Sequence, residues 1–96
     1  MTDNGDERES VYVETVDAWS HADPPSSALV ESVASVRGRE VESIQPLYEV
    51  VDPEALDELL IESGARVTEP VEIALNYDGF IVNIDSSGRL ELHPAE

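Results

Sequence analysis

The alternation of apolar and polar residues in the last third of the chain constrains its fold more than any other feature. From Val71 to Tyr77 every second residue is apolar, which is the period of a β-strand with one buried face. Asp78-Gly79 follows, a two-residue sequence typical of tight hairpin turns. Pairing Tyr77 with Phe80 across this turn brings the apolar residues of both strands onto one face. That face consists of Ile73, Leu75, Tyr77, Phe80, Val82 and Ile84.

A third strand continues the same apolar face. If Ser86–Gly88 forms a three-residue loop with Gly88 at its positive-φ position, Ile84 lies opposite Leu90 and Val82 lies opposite Leu92. A two-residue loop would place Leu90 opposite a polar residue and split the apolar face. The pattern therefore predicts a three-stranded antiparallel meander.

The middle of the chain predicts two amphipathic helices. The first begins within Asp23–Ser27, where Asp23, Ser26 or Ser27 is the expected cap, and it stops near Gly38. The second begins at Asp52-Pro53-Glu54 and ends at Gly64. In this second helix the leucines face inward, while the acidic residues Glu54, Asp57 and Glu58 are expected to face solvent.

These elements predict an α+β fold, a two-layer sandwich in which two helices pack on a three- to four-stranded antiparallel sheet in the order β-α-α-β-β-β. The segment Ser10–Val16 is rich in β-branched residues and is the candidate fourth strand. We expect residues 1–9 to form a disordered acidic N-terminus and residues 10–96 to form a single domain.

Charge decides which partners the surface can accept. The chain has 22 acidic residues against five arginines, a formal net charge of −17, and no cysteine. Residues 1–22, 23–64 and 65–96 contain six, ten and six of the acids, so the charge is not confined to a tail. Such a surface repels nucleic-acid phosphate and anionic lipid. It is typical of a cytoplasmic protein adapted to molar salt, and an ordinary acidic domain is the alternative.

No pattern of catalytic or ligand-binding residues emerges from the sequence. It contains neither a nucleophile elbow nor a phosphate-binding glycine loop, and His21 and His93 belong to no spaced ligand set. No segment is apolar enough to span a membrane, and the acidic N-terminus does not resemble a secretory signal. We therefore expect a non-enzymatic protein with no catalytic residue, cofactor, metal site or membrane contact.

Three residues are candidate contacts for a protein partner. Trp19 and Tyr48 are side chains of the kind that anchor interfaces, although residues like these more often pin a small core, and that structural role is the favoured interpretation for both. Ile81 is the large apolar residue on the otherwise polar face of the meander. Arg37 and Arg39 are the one close pair of basic residues, and they are the candidate contacts of an alternative function in DNA binding. The acidic second helix argues against nucleic acid.

The run Pro46–Leu59 resembles the signature of the halobacterial output domain family. Ala28–Ala34 is similar to the preceding helix of that family, and Tyr77–Val82 and Ser86–Leu90 are similar to its closing hairpins, so the resemblance covers residues 23–92. The family occurs in haloarchaea, alone or attached to receiver and sensory domains, and no catalytic residue carries over from it.

The resemblance implies a non-enzymatic signalling or regulatory module of a halophilic archaeon that acts through protein–protein contacts. A receiver or sensor protein is the expected partner, and a homodimer stays open. The alternative is a transcription-associated DNA-binding regulator that uses the arginine pair.

Overall fold

The computed structural model describes residues 10–66 and 70–95, with backbone alone for residues 64–66. The elements are β1 (Tyr12–Thr15), α1 (Pro25–Arg37), α2 (Pro53–Arg66), β2 (Glu72–Tyr77), β3 (Phe80–Asp85) and β4 (Arg89–Pro94). Two 3₁₀ turns, Val41–Ser43 and Leu47–Glu49, lie in the connection between the helices. The predicted α+β architecture and the order β-α-α-β-β-β are confirmed. The expected disorder of residues 1–9 falls outside the described residues.

The four strands form one antiparallel sheet in the order β1-β4-β3-β2. Both predicted hairpin registers are confirmed, with Tyr77 opposite Phe80 and Ile84 opposite Leu90. The N-terminal segment joins the sheet beside β4, although its strand is shorter than the predicted Ser10–Val16. The edges of the sheet are therefore β1 and β2.

The core lies between the helices and one face of the sheet. Each layer contributes apolar side chains with essentially no exposed surface, and burial of such a side chain stabilises the fold by about 1.5–3 kcal/mol. The most deeply buried members are Leu29, Val33, Leu60, Val82, Leu90 and Leu92. The opposite face of the sheet is left without a covering layer by the described elements.

The caps of α1 differ at its two ends. Gly38 ends the helix in the left-handed conformation, as predicted, and its N–H donates to the Ser35 carbonyl. At the N-terminus the expected caps are wrong, because Pro24 occupies the N-cap position and no side chain there bonds to the helix. The carboxylate of Asp57 in α2 instead accepts hydrogen bonds from Ser26 N at 2.8 Å and Ser26 Oγ at 2.7 Å.

The structure corrects two expectations about α2. Asp57 does not face solvent freely, since it reaches across to the first turn of α1. Gly64 does not end the helix, which continues to Arg66. A glycine inside a helix costs about 1 kcal/mol, which does not break a helix whose preceding turns are packed. The predicted cap is confirmed, as Asp52 Oδ1 accepts a hydrogen bond from Glu54 N at 3.0 Å.

Candidate functional site

Tyr48 lies in the second 3₁₀ turn, and 72% of its surface is exposed. The turn itself is held in place, because the neighbouring Leu47 is buried in the core. Among the described contacts, Tyr48 has no hydrogen-bond partner for its hydroxyl. An aromatic ring displayed on a fixed backbone loses little conformational freedom when a partner covers it.

A groove of about 390 Å³ runs beside Tyr48, between α1 and the connection. We call it the Tyr48 groove. Its apolar walls include Val30, Val41, Leu47 and Pro53. The connection is fastened to the sheet by the Tyr77 hydroxyl, which donates to the Gln45 carbonyl at 2.6 Å. The groove is therefore a packed feature of the fold and has a defined shape.

The lining of the Tyr48 groove is mainly apolar and includes one acidic side chain. Glu31 lines it, and none of the described residues that line it is basic. Burial, with a smaller contribution from the charge of Asp78, raises the pKa of the Tyr77 hydroxyl at its base. Tyr77 is thus a neutral hydrogen-bond donor at neutral pH, and its hydroxyl is already engaged with the Gln45 carbonyl.

Trp19 is placed differently from Tyr48. Its ring is 5% exposed, and its Nε1 donates to the Asp85 carbonyl at 2.7 Å. This bond pins the loop after β1 to the end of β3. The position favours the structural alternative for Trp19 and leaves it little surface to offer a partner.

Ile81 lies on the uncovered face of the sheet, opposite Asn76 on β2 and His93 on β4. It is partly buried. Next to it Glu91 accepts hydrogen bonds from Arg89 and approaches His93 Nε2 at 3.0 Å. The Arg89 hydrogen bond, more than the contact with His93, lowers the pKa of the Glu91 carboxyl. The surroundings of Ile81 are therefore charged and already paired.

Arg37 and Arg39 do not form a free basic patch. Arg37 Nε lies 3.1 Å from Asp78 Oδ2, its Nη2 donates to the Asp78 carbonyl at 2.6 Å, and its guanidinium stands 5.5 Å from the centre of the Phe80 ring. Arg37 thus fastens the end of α1 to the first hairpin turn. Arg39 is exposed beside it, over a small polar hollow that Asp78 also lines. This arrangement does not favour DNA binding by the pair.

Of the five candidate residues, only Arg37 and Arg39 lie beside each other in the described structure. Trp19, Tyr48 and Ile81 lie in three separate places. The feature that sequence reasoning missed is the groove itself, because its walls come from α1 and from the connection, which are packed together only in the folded chain. The local signal that could have pointed to it is the run Val41–Val50, in which apolar residues alternate irregularly around Pro46.

The described residues contain no cluster of three or more His, Asp or Glu side chains arranged to hold a metal ion. In that same part of the chain, neither helix combines the length and apolar character needed to cross a bilayer.

The fold defines the class of the protein as a small two-layer α+β module, with an apolar groove between α1 and the connection. The family model for Halobacterial output domain 1 matches residues 21–94. The chain therefore belongs to the Halobacterial output domain 1 family, as its resemblance predicted, and that family name is consistent with a signalling or regulatory role. No curated protein and no solved structure matches the chain.

Proposed function

We propose that this chain is a non-enzymatic signalling module of a halophilic archaeon, which acts in the cytoplasm by binding another protein through the Tyr48 groove. Membership of an output-domain family supports a role in signalling. The spread of acidic residues over the whole chain supports a salt-rich cytoplasm as its setting.

The exposure of Tyr48 is the observation that carries this proposal. An aromatic side chain that is 72% exposed beside an apolar groove leaves its ring in contact with water. Covering it would recover about 2 kcal/mol of hydrophobic free energy, which is the scale of an interface hot spot. The backbone beneath it is anchored through Leu47 and Gln45, so binding needs no rearrangement of the connection.

The expected partner is a receiver or sensor protein that inserts an apolar segment into the groove. Glu31, the acidic residue that lines the groove, disfavours a segment flanked by acids and favours one flanked by neutral or basic residues. Because salt screens this effect strongly, the apolar contact supplies most of the affinity in the cell, and the charges select the orientation.

The test is affinity capture from a haloarchaeal lysate kept at about 3 M KCl, where the screening length is below about 3 Å. Three baits are compared: the unchanged chain, Tyr48→Ala and Leu59→Ala. Leu59 is 47% exposed on α2 and does not line the groove, so its truncation is a matched control for lost apolar surface. The proposal predicts a protein that binds the unchanged and Leu59→Ala baits and is lost from the Tyr48→Ala bait.

Two outcomes would contradict the proposal. Capture of the same proteins by all three baits would show that Tyr48 does not contribute to binding. Capture that disappears after nuclease treatment of the lysate, and is reduced by Arg39→Ala, would favour the DNA-binding alternative instead.

A further inference from the structure

The strand β2 is an open edge of the sheet. Within the described part of the chain it pairs with β3 alone. Tyr77 and Phe80 form the pair that closes the two-residue turn, and Val71 O accepts a hydrogen bond from Ser86 N at the far end of the ladder. Because hydrogen bonds in an antiparallel ladder alternate, the N–H and C=O groups of Glu72, Ala74 and Asn76 point away from β3.

The apolar side chains of β2 are incompletely covered. Ile73 and Leu75 face the helices but are only partly buried, whereas Val82 and Leu92, on the same face of β3 and β4, are fully buried. The core therefore thins towards β2, and the edge exposes apolar side chains together with unpaired backbone groups.

The two edges of the sheet are not equally protected against pairing. The edge strand β1 has only four residues, and its Glu14 points a carboxylate inward, where it accepts a hydrogen bond from Tyr12. Short edge strands and inward charges are devices that prevent edge-to-edge association. The strand β2 is longer, with six residues, its register with β3 is unbroken by a bulge, and its one charged residue, Glu72, is exposed and does not point inward.

We infer that β2 is a self-association surface, which pairs antiparallel with β2 of a second copy of this chain about a two-fold axis at Ala74. In this register Ala74 lies opposite Ala74, Glu72 opposite Asn76 and Ile73 opposite Leu75. The backbone N–H and C=O groups of Glu72, Ala74 and Asn76 are then all paired with the second copy. The two sheets become one continuous sheet of eight strands.

The chemistry of the edge selects this register over its neighbours. A shift of two residues in one direction places Glu72 opposite Asp78, a like-charge pair that is destabilising. A shift in the other direction places Asn76 opposite Pro70, which has no N–H to donate. The register centred on Ala74 avoids both, and it covers the exposed sides of Ile73 and Leu75 with each other.

Charge makes this dimer dependent on salt. Each copy has a formal net charge of −17, so association is opposed in dilute buffer and becomes favourable when the screening length falls to about 3 Å at 1 M salt. A strand–strand contact lies at the small end of interface sizes, so we expect a weak dimer. Its fraction should therefore rise measurably with protein concentration.

Cysteine cross-linking tests the register directly, since the chain has no cysteine of its own. Residues in a hydrogen-bonded antiparallel pair have Cα atoms about 5.5 Å apart, inside the range that a disulfide spans. Under oxidation at about 3 M KCl, Ala74→Cys should yield a covalent dimer. Glu72→Cys should cross-link when mixed with Asn76→Cys and much less when alone.

Val13→Cys is the matched control. Val13 is exposed on β1, at the opposite edge, and in the eight-stranded sheet the two copies of it would be about 34 Å apart, at about 4.8 Å per strand. It should stay monomeric on a non-reducing gel. Equal cross-linking of Val13→Cys and Ala74→Cys would reflect random collision and would overturn the inference.

Light scattering of the unmodified chain provides the second measurement. We expect a dimer at high salt that Ala74→Pro weakens at least about tenfold, because the proline removes the N–H at the two-fold axis from both copies. Val13→Pro, the same change at the other edge, should leave the dimer intact, and fluorescence of the buried Trp19 checks that both variants are folded. A chain that stays monomeric up to about 1 mM at high salt would overturn the inference.

Discussion

Replacing Gly88 with alanine should destabilise the protein far more than the same change at Gly38. Both glycines have positive φ, +107° and +70°, so both substitutions strain the backbone. They differ in their surroundings. A Cβ at Gly88 would lie 2.2 Å from the carbonyl oxygen of Val16, whereas nothing lies within 4 Å of a Cβ at Gly38.

The size of the effect follows from these contacts. At Gly38 the cost is that of a left-handed alanine, about 1 kcal/mol. At Gly88 the strain is about 1–3 kcal/mol, and relief of the backbone clash also breaks the 2.8 Å hydrogen bond from Val16 N to the Gly88 carbonyl, worth about 1 kcal/mol. We expect Gly88→Ala to cost roughly 2–4 kcal/mol, which is about 1–3 kcal/mol more than Gly38→Ala and lowers the melting temperature about 5–20 °C further.

Urea unfolding monitored by fluorescence of Trp19, the single tryptophan, measures both variants at constant ionic strength, here about 3 M KCl. Urea is preferable to guanidinium because guanidinium is itself a screening salt. Equal losses of unfolding free energy at Gly88 and Gly38 would refute the reasoning, since only Gly88 meets the backbone of Val16.

Three further predictions concern Arg37, Tyr77 and salt. Arg37→Ala should lower the unfolding free energy by about 1 kcal/mol, as the pair is partly exposed, and a double-mutant cycle with Asp78→Asn should return a coupling of about 0.5 kcal/mol. Burial raises the pKa of Tyr77, so its contribution to stability is complete below its ordinary pKa of 10 and is lost as pH rises through the folded value. Urea titrations should show this alkaline loss, and Tyr77→Phe should abolish it while removing the bond to Gln45. Circular dichroism from about 3 M to about 0.05 M KCl should show folding weaken as salt is withdrawn, and unchanged stability would contradict adaptation to salt.

The sheet could be predicted from the sequence because its signals are local. The alternation from Val71 to Tyr77 defines a face, and the turns at Asp78-Gly79 and Gly88 define how the strands align. A shift by one residue would turn every apolar side chain to water. Short-range pattern and long-range packing therefore demand the same register.

The contact at the N-terminus of α1 and the candidate functional contacts could not be predicted in the same way. The bond from Ser26 to Asp57 spans 31 residues, and only the packing of α2 on α1 brings the carboxylate there. Likewise, the sequence favours a structural role for both Trp19 and Tyr48, yet only Trp19 is buried in the core. Their positions differ because the Asp85 carbonyl of β3 lies within hydrogen-bond distance of the Trp19 indole, while the Tyr48 phenol stays exposed beside the groove.

The bridge from Asp57 to α1 has a consequence for engineering a version of this chain that folds in dilute buffer. The obvious design replaces acidic residues with neutral ones until self-repulsion no longer requires salt. Exposed acids such as Glu40, Glu42 and Glu58 are suitable positions, since each faces solvent. Asp57 is not, because its carboxylate accepts hydrogen bonds from the first turn of α1, where the N-cap residue Pro24 offers no side-chain hydrogen bond. A design that removes the requirement for salt must therefore neutralise acids that only face solvent and retain Asp57, which joins the two helices.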